Sequence, residues 1–171
     1  MKLTRLERIM LINQLEIRKA IEETDDFDEW IEILRDGYEF LYDDVGGHLA
    51  RDVPEADCRF VLEVLDMYRR LEDFQVSNPK VIATSDVFAH FRGFDGNNET
   101  ALMAFARFLI KKQGKFAEQL AYEKGTDGFN SHMPTADVYR RMLAVWQSLK
   151  PNFPLVQSQV AAILQAATAK P

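Results

Sequence analysis

Apolar residues recur every three or four positions along most of the chain, the spacing that gathers them on one side of an α-helix. From Leu3 to Ile21 that side carries Leu6, Ile9, Met10 and Ile17, with Asn13 among them. Thr4 and Glu7 stand three apart before this run, the spacing of a capping box in which each side chain satisfies an orphan backbone N–H. Phe27, Trp30, Ile31, Leu34, Tyr38 and Leu41 mark a second helix, 27–42, stopped at Gly46-Gly47 where positive φ carries no Cβ penalty. A third begins near Asp52-Val-Pro-Glu55, with proline in the first turn, and buries Cys58, Val61, Leu65, Tyr68 and Leu71. It closes at Ser77-Asn78-Pro79. The stretch 81–91 reads as a short helix capped by Ser85-Asp86, or as a β pairing.

The pattern changes at the centre. Within Ala101 to Ile110 only Arg107 is polar, so the helix 97–112 is apolar all round and predicts a central, buried position. Two turns of one type bracket it, Gly93-Phe94-Asp95 and Gly128-Phe129-Asn130. Each places a backbone bend, an aromatic anchor and a short polar side chain within three residues. Gly114 bends or ends the central helix, and 116–122 continue as a short helical piece. Pro134-Thr135 opens a helix burying Val138, Tyr139, Met142, Leu143 and Trp146. Pro151 and Pro154 set off a last helix with Val156, Val160, Ile163 and Leu164, and 166–171 form a frayed tail. The expected architecture is all-α: one domain over 1–171, about seven helices, and a buried central helix. The aromatics Phe91, Phe94, Phe105, Phe108, Phe129 and Trp146 are assigned to its core.

Composition narrows the function classes. No apolar run approaches the roughly 20 residues that span a bilayer, and the N-terminus lacks a signal-peptide pattern. A single cysteine cannot form an internal disulfide, which favours a cytoplasmic protein. A net charge of −6 disfavours a nucleic-acid surface. The basic groups Arg69-Arg70, Lys111-Lys112-Lys115 and Arg140-Arg141 lie at helix ends or outer faces, where solvated cations are usual.

Nucleotide-binding, hydrolase and zinc-protease motifs are missing from the sequence. Asp95 opens a stretch resembling a calcium loop, but its sixth position is Thr100 and its twelfth Ala106, where glycine and a bidentate acid are needed. Cys58 reads as a structural thiol, and His48 as a surface residue. His90 and His132 flank the two turns and could meet in space, with Asp95 or Asp127 completing an acid–base pair or a metal site. Arg107 keeps its charge inside an apolar helix and so needs acceptors: Asp95, Asp127, Asp66 or the carbonyls of 125–130. It either staples the turns to the core or binds an anion between them. The candidate polar cluster is therefore Asp95, Arg107, Asp127, Asn130 and His132. No cofactor is expected.

The Gly-Phe-Asp segment and Gly-Thr-Asp-Gly-Phe-Asn (125–130) resemble segments of the YfbU family of bacterial proteins. The likeness extends to Arg8–Gln14, Gly37-Tyr38, Cys58-Arg59, Met67-Tyr68, Phe105–Phe108 and the last helix from Leu155. The stretches 78–86 and 25–29 match less well. The resemblance implies a fold and no activity. Amphipathic helices without catalytic signatures lead to a non-enzymatic interaction or regulatory module, acting through a protein partner or a homodimer. Helices 3–21 and 54–74 are its expected dimer faces. The alternative is a small enzyme or ligand-binding protein, with an anion or metal pocket around Arg107 and the 125–130 turn.

Overall fold

The computed structural model describes residues 2–45, 52–79, 87–149 and 154–169. Helix is the only repetitive structure among them: α1 (Arg5–Glu22), α2 (Asp28–Asp36), α3 (Tyr42–Val45), α4 (Glu55–Ser77), α5 (Thr100–Arg107), α6 (Ala136–Ser148) and α7 (Gln157–Thr168). None of these is long and apolar enough to cross a membrane. The expected stop at Gly46-Gly47, the surface position of His48 and the Ser85-Asp86 cap lie outside the described residues. The chain divides into two compact units, 1–52 and 53–171.

In the first unit the capping box forms as expected. Thr4 Oγ1 accepts from the Glu7 amide at 3.2 Å, and Glu7 accepts from the Thr4 amide at 2.7 Å. The core is small: Leu15 of α1, Phe27, and Ile31, Ile33 and Leu34 of α2, together with Tyr42. The expected helix 27–42 is broken. Gly37 takes φ +80°, and the amides of Gly37 and Tyr38 both donate to the Ile33 carbonyl. A left-handed glycine there ends α2 and leads into a short 3₁₀ turn, Glu39–Leu41. A Cβ at Gly37 would also stand 2.6 Å from the Arg8 guanidinium, which caps the Leu34 carbonyl.

The second unit is built around aromatic rings. Phe91, Phe94, Phe129, Tyr68 and Tyr139 are fully buried, with ring centroids 5.4–5.9 Å apart. That spacing suits tilted and edge-to-face contacts. Helix α4 covers this cluster with Val61, Val64, Leu65 and Leu71. Helix α5 continues into a π-helical turn, Phe108–Lys112, which Gly114 terminates at φ +66°. After Phe116 the chain runs as a 3₁₀ stretch, Ala117–Thr126.

The central helix buries one broad face, Leu102, Met103, Ala106, Leu109 and Ile110, while Ala101, Ala104 and Phe108 stay exposed. Apolar character all round thus overstates its burial, and Phe108 is not a core residue. Phe105 and Trp146 are partly buried against the core. The last helix runs to Thr168 with Ala167 buried, so residues 166–168 are helical rather than frayed.

Candidate functional site

The two Gly-Phe-Asx turns lie side by side and pair through their backbones. The Phe94 amide donates to the Phe129 carbonyl at 3.2 Å, and the Ser131 amide donates to the Phe94 carbonyl at 3.1 Å. Gly93 makes the approach possible. It sits at φ +84°, and its own carbonyl accepts from Thr135 Oγ1 at 2.8 Å and from the Tyr139 hydroxyl at 3.0 Å. The Tyr139 oxygen in turn accepts from the Arg92 amide at 3.2 Å. Burial pushes the Tyr139 hydroxyl far above the normal phenol range, against the opposing pull of the Arg92 amide.

Three of the five predicted polar residues serve this joint with their side chains. Asp95 is buried and accepts from the Asn97 amide at 3.2 Å and from the Asn98 side chain, which hold its carboxyl below the usual range. Asn130 Oδ1 bridges the amides of Gly96 at 3.0 Å and His132 at 3.1 Å. Arg107 donates to the Gly128 carbonyl at 2.5 Å and the Asp127 carbonyl at 3.4 Å. Its acceptors are turn carbonyls, one of the alternatives the sequence left open. The Asp127 carboxylate faces outward and pairs with His132 Nε2 at 3.0 Å, both side chains exposed. His90 does not join them; its ring stacks on Tyr122 with centroids 4.0 Å apart.

Glu99 is the residue that sequence reasoning missed. Its two oxygens accept from the Asp95 amide at 3.0 Å, the Thr135 amide at 3.0 and 3.1 Å, and the Ala136 amide at 2.8 Å. One carboxylate thus ties the first turn to the N-terminus of α6, occupying the position where an external anion would bind. It borders a cleft of about 400 Å³ lined also by Asp57, Asn98, Asp137 and Arg140.

A second polar group lies deeper in the same unit. Glu72 of α4 is buried, and desolvation pushes its carboxyl up to about 7. Gln119 lies close enough to favour the ionised form, without a hydrogen bond of normal geometry. Burial, with the Glu72 charge, raises the Tyr122 phenol, and burial lowers His90. The spacing Tyr68–Glu72 continues the buried stripe of α4, so a glutamate there was a legible signal.

Helix α1 carries a site of another kind. Its inward face supplies Leu11, Ile12 and Leu15 to the first core. Steps of about 100° per residue place Leu6, Ile9, Met10, Asn13, Ile17, Ala20 and Ile21 on the opposite face. All seven are exposed, and the five large aliphatic side chains are 49–74% accessible. This is the stripe that the sequence pattern singled out, and in the first unit it faces outward.

The YfbU domain family matches residues 1–166. A protein of the UPF0304 group from Methanocaldococcus jannaschii is 41% identical, with the match covering 96% of this chain and 99% of that protein. The relative is archaeal, so family membership does not fix a bacterial source. The chain belongs to the YfbU family.

Proposed function

We propose that this YfbU-family chain is a non-enzymatic cytoplasmic interaction module, acting through a protein partner or its own dimer. The observation that carries the reading is the outward face of α1, where Leu6, Ile9, Met10, Ile17 and Ile21 form one exposed apolar stripe. Contiguous apolar patches of this kind mark protein contacts, whereas single exposed leucines do not. The polar cluster supports the same reading. Glu99, Asp95 and Asn130 are spent on backbone amides, and Arg107 on backbone carbonyls, so the turns are a structural joint.

Five of the seven residues in the three basic groups have nearby structural partners. Arg69 pairs with Glu118, Arg70 with Asp73, Lys111 with Glu123 and Arg140 with Asp137, while Arg141 donates to the carbonyls of Ala166 and Ala167. A nucleic-acid surface built on them would have to break these contacts. The test is the size of the purified protein by gel filtration, native against Met10→Glu/Ile17→Glu. The native chain is expected to elute as an assembly larger than 19.7 kDa, and the charged variant as a folded monomer. Identical elution of the two would remove self-association through the α1 face from the account.

A further inference from the structure

We infer that the outward face of α1 is covered by the same face of a second copy, the two helices antiparallel and the two-fold axis passing beside Asn13. The inference rests on the interaction reading above and names its partner. Helix α1 runs Arg5–Glu22, so Asn13 lies near its midpoint, the one polar residue within the apolar stripe. A two-fold beside it brings both Asn13 amides together, where each can donate to and accept from the other. A buried asparagine at such a seam fixes register and partner number at some cost in stability. Leu6 of one copy then meets the Ile17–Ala20 turn of the other, a large residue against a mixed large and small pair.

Charge on the flank selects the direction. Arg5 and Glu16 lie on the same side of the stripe, with Lys2 before the helix and Glu23 just past its end. That flank is basic at its start and acidic at its finish, although Arg35 also reaches Glu16 at 3.4 Å. Laid against itself in reverse, it puts Lys2 and Arg5 of each copy beside Glu16 and Glu23 of the other. A parallel pair would align like ends and add the helix dipoles unfavourably. One 18-residue helix from each copy, about 27 Å long, makes a small interface, so the pairing is expected to be reversible and concentration-dependent.

The test is site-directed cross-linking in full-length protein with Cys58→Ser, which removes the single native thiol. Asn13→Cys should link to itself through a short bis-maleimide. Leu6→Cys alone should link at most one-tenth as well, whereas mixed Leu6→Cys and Ala20→Cys chains should give the heterodimer. Efficient self-linking by Leu6→Cys would overturn the antiparallel arrangement. If none of these variants links above a no-reagent control, the antiparallel register is wrong. Gel filtration of Met10→Glu/Ile17→Glu separates the two failures. A size change without Asn13 linking leaves self-pairing through the α1 face standing and sinks only this antiparallel register, and no size change sinks the second copy as the occupant of the face.

Discussion

A Cβ placed on Gly93 would stand 1.9 Å from the carbonyl oxygen of Phe129. The clash is with backbone, which cannot swing aside, and φ +84° is itself unfavourable for a residue with a side chain. Gly93→Ala is therefore expected to cost about 3 kcal/mol or more, the range of overpacking plus backbone strain. Gly114 is the control: it also has positive φ, but among the described residues nothing lies within 4 Å of where its methyl would stand. Gly114→Ala should cost about 1 kcal/mol from strain alone. Chemical denaturation of both variants checks the difference, and equal costs would mean the two turns do not touch.

Removing the Glu99 carboxylate strips acceptors from the amides of Asp95, Thr135 and Ala136 together. Glu99→Ala should destabilise by about 1–3 kcal/mol, as for a lost helix cap with further orphaned donors. Glu99→Gln, which keeps one acceptor oxygen, should lose less. Urea melts at neutral pH measure both, and a larger loss for Gln would contradict the capping role.

Arg107 meets carbonyls of Gly128 and Asp127, so its removal strands no carboxylate through these bonds. Arg107→Met is expected to cost about 1.5–3 kcal/mol, the worth of hydrogen bonds from a charged donor. Arg107→Ala should cost somewhat more, because the aliphatic stem is lost as well. Parental stability in both variants, read from the same denaturant curves, would show that the guanidinium does not hold the turn.

The turns themselves were legible because glycine, phenylalanine and a short polar residue have separable jobs: close approach, anchoring and capping. Thr4 and Glu7 were legible for the same reason, since a capping box is local. Gly37 was hidden inside an apolar spacing that runs on past it, and only the left-handed φ shows that α2 ends there. The bond from the Asp95 amide to Glu99 is local, but the partners through which Glu99 reaches α6 lie 36 and 37 residues later and leave no local signal. Arg107 was recognised as needing acceptors, yet spacing alone could not choose carbonyls over carboxylates. The exposed Phe108 was missed because an all-apolar helix does not say which side its neighbours cover.

Glu72 predicts a pH dependence of stability. Its carboxyl is raised from 4.5 to about 7 in the folded chain, chiefly by desolvation, so the folded state binds the proton more tightly than the unfolded one. This contribution is fully present below about pH 4.5 and is lost as pH rises through about 7. Glu72→Gln removes the titration. Its Tm should exceed the native value by on the order of a few degrees at pH 8, with little difference at pH 4.5. A constant offset between the two proteins across that range would contradict the burial of an ionisable group there.

The most direct test of the central claim is sedimentation equilibrium of the native chain over a hundredfold range of concentration. The account predicts a reversible shift from 19.7 kDa toward twice that mass, abolished by Met10→Glu/Ile17→Glu with helicity by circular dichroism unchanged. A native chain that remains monomeric throughout, or a variant that associates as well as its parent, would contradict it.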